Sequence, residues 1–142
     1  MKVSFTIPGK PTGKGRPKFF GGHAVTPQKT RNYESLVALK AESVMKDLPD
    51  SRLGLPCMVR VHAYYAIPKS YSKKKHAEAL EGKFAPGKPD LDNIVKSVLD
   101  GMNGIAFKDD VNVVEMMLKK SFTEGMERVE VLTEWRDANE TV

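Results

Sequence analysis

The chain has 142 residues, 40% hydrophobic and 29% charged, an ordinary balance for one domain that can bury a core without disulfides or a structural metal. A single cysteine, Cys57, excludes a disulfide framework and a metal–thiolate site and fits a reducing compartment. No apolar run approaches a membrane span and the N-terminus lacks a signal-peptide pattern, so a cytoplasmic protein without membrane association is expected. The net charge of +5, from 23 basic and 18 acidic residues, is unevenly spread: residues 1–31 carry seven Lys or Arg and no acid.

In chain order, Val3, Phe5 and Ile7 alternate with Lys2, Ser4 and Thr6 across Met1–Pro8, the period of a half-buried strand. The glycines and prolines of residues 9–22 predict a loop without regular structure. Lys10, Lys14, Arg16 and Lys18 beside Phe19 and Phe20 suit a phosphate backbone with a base or sugar nearby, although basic loops also serve solubility alone. Thr30 is the expected N-cap of a helix with the apolar stripe Tyr33, Leu36, Val37, Ala41 and Val44, ending before Pro49. Asp50–Pro56 is turn-rich. Cys57–Ile67 reads as a central strand with Val59, Val61, Ala63 and Tyr65 on one face and His62 opposite, a sheet residue rather than a ligand. Ser72 is expected to cap a short helix that turns Ala77 and Leu80 inward. Lys73, Lys74 and Lys75 on it make either a solvated face or a contact to a nucleic-acid backbone.

The stretch Lys88–Asp100 organises the chain. Leu91, Ile94, Val95, Val98, Leu99 and Met102 form an i, i+3, i+4, i+7, i+8 stripe, so a helix with one buried face is predicted. Asp92, Lys96 and Asp100 stack on its polar edge, and Asp90 precedes the first apolar position, where a carboxylate caps free N–H groups. Asp92–Lys96 and Lys96–Asp100 also satisfy the spacing of ordinary surface ion pairs. On an ideal helix Asp90 and Asp92 would point about 200° apart. They can converge on one ligand only if Asp90 lies outside the helix.

Asn103-Gly104 supplies the C-terminal turn, and Ile105–Asp110 is a short loop able to fold back toward the helix start. Val111–Phe122 is strand-like, with Val114, Met116, Leu118 and Phe122 on one face. Thr123-Glu124-Gly125-Met126 signals a turn, and Arg128–Trp135 is expected to return as the second strand of a hairpin. The elements describe an α/β (α+β) chain: one compact domain of 142 residues, a small mixed sheet with helices packed on it.

Carboxylates with a nearby lysine, on a basic protein without Cys or His ligands, suit a hard cation held by oxygen, Mg²⁺ or Mn²⁺ rather than zinc. Beside a basic surface that chemistry points to phosphodiester hydrolysis. The glycines around Gly13 and Gly15 do not match a P-loop.

Asp90-Leu91-Asp92-Asn93, followed by Lys96, Asp100 and Asp109-Asp110, resembles the signature of the RusA family of Holliday-junction resolvases. Gly9-Lys10-Pro11, Gly15-Arg16-Pro17 and Thr26-Pro27 resemble the N-terminal part of its Gram-positive and phage members. The resemblance implies a small homodimeric α/β protein that cuts four-way DNA junctions by paired nicks, using Mg²⁺ or Mn²⁺. It implies Asp90, Asp92 and Asp110 as metal ligands, Lys96 as the basic residue of the site, Asp109 as an adjacent contributor and Asp100 as the residue orienting Lys96. Some members carry arginines where this chain has Gly87-Lys88-Pro89, which leaves open what holds the junction. The expected DNA contacts are Lys10, Lys14, Arg16, Lys18, Lys73, Lys74, Lys75 and Lys88. Two symmetric nicks call for two copies, with the face of the C-terminal hairpin or of the Tyr33 helix as candidate interfaces. A reading from another class is a non-catalytic junction or duplex DNA-binding protein whose carboxylates cap helices.

Overall fold

Alternating burial along three long strands builds the main sheet, with a fourth, more exposed strand beside them, and a computed structural model describes it together with the rest of residues 1–137. The elements are β1 (Lys2–Pro8), β2 (Lys18–Phe20), β3 (His23–Val25), α1 (Gln28–Met45), β4 (Cys57–Ala66), α2 (Lys73–Leu80), α3 (Leu91–Met102), β5 (Val113–Thr123) and β6 (Arg128–Trp135). Short 3₁₀ turns occupy Asp50–Gly54 and Asp110–Asn112. The main sheet runs in the order β1-β6-β4-β5, with β6 antiparallel to β1 and β4, and β5 parallel to β4. This is the mixed sheet of an α+β fold.

One face of the sheet is the core. Phe5 and Ile7, Val59, Val61 and Ala63, and Val129, Val131 and Trp135 are buried there together with Tyr33, Val37, Ala41 and Met45 of α1 and Ile94, Val95, Val98 and Met102 of α3. The two helices cross tightly at Gly101. A Cβ there would stand 2.7 Å from that of Val37 and 2.9 Å from the Glu34 carbonyl oxygen, so glycine sets how closely α3 approaches α1.

Several local expectations give way to tertiary context. The expected β5–β6 hairpin is not formed: β4, with its regularly buried face, lies between them and pairs with both. The four-residue connection Glu124–Glu127 crosses two strand spacings, roughly 10 Å, instead of one. Charged Glu115 and Lys119 suit β5 to the sheet edge. The expected loop 9–22 contains β2, which pairs with β3 through Gly21 and Gly22 at φ +56° and +82°, the left-handed geometry of a two-residue hairpin turn. Helix α1 begins at Gln28 with Pro27 in the N-cap place. Thr30, the expected cap, lies inside the first turn and accepts a 2.9 Å hydrogen bond from Gly15 N–H. In α2, Ser72 caps as expected, accepting from Lys75 N–H, but Ala79 is the buried residue while Ala77 and Leu80 are exposed.

Candidate active site

Helix α3 buries Ile94, Val95, Val98 and Met102 and turns Asp92 and Lys96 to solvent, the division its period dictates. Asp90 occupies the N-cap position in extended conformation, φ −72° and ψ 155°, yet its carboxylate makes no capping hydrogen bond. Asp90 therefore lies outside the helix, and the opposed directions of an ideal helix do not apply to it and Asp92. Among the described residues no ion pair joins Asp92 to Lys96 or Lys96 to Asp100.

Asp100 takes a different partner from the one expected. Its carboxylate accepts a 2.6 Å hydrogen bond from Lys14 Nζ, which also reaches Glu34 at 2.8 Å. Burial opposes the charge on Lys14, but the two carboxylates outweigh it and hold the ammonium above the ordinary lysine range. Lys14 is thus half-buried between two acids rather than presented to a phosphate.

This pairing is one of several ties between the first loop and α3. Lys14 N–H donates to the Asn93 carbonyl at 3.1 Å, and the Ser97 hydroxyl lies 2.9 Å from the Thr12 carbonyl and 2.8 Å from that of Ile94. A Cβ on Gly13 would stand 2.9 Å from that of Pro89 and 3.0 Å from that of Asn93, so the loop lies directly against the residues flanking Asp90 and Asp92. From beneath, Tyr65 on β4 donates to the Pro89 carbonyl at 2.6 Å. Burial, with the charge of Asp90 adding, pushes the Tyr65 phenol up to about 12, so it remains a donor at neutral pH. Nothing in the local pattern around Tyr65, Gly13 or Ser97 signals this role, because each tie joins residues far apart in sequence.

The second acidic segment is held as firmly. The buried Arg52 guanidinium donates to the Ile105 carbonyl at 3.0 and 2.8 Å, and to Leu48 and Pro49 carbonyls at 3.0 and 3.1 Å. Trp135 Nε1–H donates to the Ala106 carbonyl at 2.8 Å, and the Leu53 carbonyl accepts from Lys108 N–H and the Asn112 side chain at 2.9 and 2.8 Å. Asp109 caps the 3₁₀ turn, accepting from Asp110 N–H at 2.8 Å. Asp110 is exposed. Partial desolvation, then the charge of Asp109 and a hydrogen bond with it, then Asp100, push the Asp110 carboxyl above its usual range, with Lys96 opposing. Asp110 therefore lies within electrostatic reach of Lys96 and Asp100 on α3.

Around these carboxylates the basic residues fall into groups. Lys10, Lys29 and Lys88 line a cleft of about 410 Å³ that also includes Asp90 and Asn93. Lys29 carried no signal in the sequence beyond its charge. Arg16 and Lys18 are exposed at the base of the β2–β3 hairpin. Lys73, Lys74 and Lys75 are exposed on the first turn of α2, with Lys75 Nζ 4.2 Å from the Tyr71 ring centroid. The donor set of Asp90, Asp92 and Asp110 has the oxygen chemistry of a hard divalent cation. Among the described residues, however, no three His, Cys, Asp or Glu side chains form a group able to hold an ion, so these residues supply donors and not a closed ligand set. No helix among the described residues is long and apolar enough to cross a membrane.

The chain is 36% identical over 137 residues to an uncharacterized protein of Bacillus subtilis (strain 168), YqaN, covering 92% of this chain and 94% of that one. The family model described as Endodeoxyribonuclease RusA matches residues 8–134, a span that takes in the Asp90 and Asp110 segments, the cleft and the hairpin. This chain belongs to the RusA endodeoxyribonuclease family.

Proposed function

We propose that this protein resolves four-way (Holliday) DNA junctions by paired symmetric nicks, as a homodimer dependent on Mg²⁺ or Mn²⁺. The supporting observation is the juxtaposition of an uncapped Asp90 with a lysine-lined cleft, while Lys96, one turn beyond Asp92, has no carboxylate partner among the described residues. A surface optimised for stability alone would pair these charges along the helix.

Asp90, Asp92 and Asp110 are the residues that would hold the cation, with Asp109 adjacent; when bound, it supplies water activation and offsets phosphate charge. Lys10, Lys29 and Lys88 hold the phosphodiester backbone against the carboxylates, which would otherwise repel it. Lys96 offsets charge that develops on the phosphate as the bond breaks. Tyr65, Lys14 and Ser97 keep the two ends of the Asp90–Asp92 segment in place. A junction has near two-fold symmetry, and two coordinated nicks need two sites at fixed separation, which a two-fold dimer provides.

The test is cleavage of an end-labelled synthetic four-way junction beside a linear duplex, with Mg²⁺ or EDTA, by wild type and Asp92→Asn. Symmetric nicks confined to the junction, lost with chelator or substitution while binding persists, are expected. Tight junction binding without nicks in Mg²⁺ or Mn²⁺ would instead favour a non-catalytic binding protein. Sedimentation with and without junction DNA tests the dimer.

A further inference from the structure

The β2–β3 hairpin takes no part in holding the carboxylates. Its strands pair with each other and lie outside the main sheet. Phe19 and Phe20 are 75% and 65% exposed. Phe19 stands opposite Ala24 and Phe20 opposite His23, so the rings project from opposite faces of the ribbon and the main fold covers neither. A lone exposed apolar residue needs no explanation, but two successive exposed rings, one on each side of a short ribbon, leave both faces of the arm aromatic.

The arm is built to hold its shape. Gly21 and Gly22 close it in a tight left-handed turn. At its root, Gly15 N–H is bound by Thr30, and a Cβ on Gly15 would stand 2.9 Å from Thr30 Oγ1 and 3.0 Å from Pro27, so both ends are clamped to the start of α1. Gly15, Pro27 and Thr30 also line the cleft that includes Asp90, which places the arm beside the candidate site. Every Asp or Glu is missing from residues 1–31, so the arm and its flanks carry positive charge alone.

We propose that the hairpin is a DNA arm that stacks Phe19 and Phe20 on bases exposed where the strands of a junction exchange, and so favours branched over linear DNA. Aromatic rings recognise the face of any base, and basic flanks hold the adjoining backbone. A linear duplex keeps those faces stacked, whereas a branch point frees them. A second copy of this chain, with net charge +5, is a poorer match for a basic arm than a polyanion. The inference rests on the junction-nuclease reading.

The test compares full-length wild type with Phe19→Ile/Phe20→Ile, which keeps strand propensity but removes the rings, and Phe19→Tyr/Phe20→Tyr, which keeps them. Affinity for a four-way junction and for a linear duplex is measured in EDTA, with 2-aminopurine at the branch point reporting base stacking. The isoleucine variant is expected to lose roughly tenfold or more in junction affinity, to keep its duplex affinity and to abolish the 2-aminopurine change. The tyrosine variant should restore both. Equal losses on the two DNAs, or no loss, in a protein whose wild type nicks junctions would overturn the arm and spare the nuclease reading. A wild type that binds junctions no better than duplex and nicks neither overturns both.

Discussion

The Asp90 segment and the root of the β2–β3 hairpin meet at one cleft, yet the carboxylate segments and the hairpin are held in opposite ways. Asp90 and Asp92 are flanked by residues tied from several directions: Tyr65 to Pro89, Lys14 N–H to Asn93, Ser97 to Thr12, and Gly13 pressed between Pro89 and Asn93. Asp109 and Asp110 follow a loop fixed by Arg52, Leu53 and Trp135. The hairpin is anchored at its root and leaves its rings in solvent. On the proposed reading this difference follows from task. Groups that act on a phosphate must stand within fractions of an ångström of their targets, whereas an arm that finds exposed bases needs reach.

The largest effects are expected at the carboxylate segments. Asp92→Asn should reduce junction nicking at least about a hundredfold, while junction affinity in EDTA stays level or rises as a repulsive charge is lost. Gel-shift and single-turnover cleavage on the same preparation measure the two effects. Arg52→Met leaves the Ile105, Leu48 and Pro49 carbonyls without their donor, so a loss of about 3 kcal/mol in a denaturant titration is expected. Nicking should also fall below the midpoint, because the loop bearing Asp110 loses its anchor.

Gly13→Ala sharpens the contrast, since its Cβ would collide with Pro89 and Asn93 and shift the loop against Asp90. Nicking should drop about tenfold or more, with stability changed by roughly 1 kcal/mol. Tyr65→Phe removes the donor to Pro89 and should cost about 1 kcal/mol, with a smaller fall in nicking. The smallest effect belongs to the sheet face remote from both regions. Burial first, and then Lys119 and Arg128 against Glu130, lower the pKa of His62 below its ordinary 6.5. Between the lowered value and 6.5 the unfolded chain binds more protons, so stability should fall as pH drops through that window. His62→Gln should flatten that slope in thermal melts between neutral and mildly acidic pH.

Helix α3 was readable because its period, its polar edge and Asp90 before it are local features, and local features survive any tertiary arrangement. The same held for β1, the body of β4 and the Ser72 cap. Pairing was another matter. The chain bends at Glu124 and Gly125, but which strand lies beside β6 depends on where β4 can bury Val59, Val61 and Ala63, and no spacing along the chain records that. The β2–β3 hairpin was hidden by composition: the glycines that argue against a long strand are what permit a two-residue turn. The resemblance implies that Asp100 orients Lys96, one helical turn away. The folded chain instead brings Lys14 from 86 residues away to within 2.6 Å of Asp100.

Local sequence carries the residue types of the candidate site, its hard oxygen donors, the basic character of the first 31 residues and an amphipathic helix bearing Asp92 and Lys96. Periodicity and charge are properties of neighbouring residues. Tertiary structure alone decided that Asp90 stands uncapped in a lysine-lined cleft, that Lys14 binds acids, and that Arg52 and Tyr65 hold loops they do not belong to. Each of those facts is a contact between distant segments, chosen by how the sheet and two helices bury one shared core.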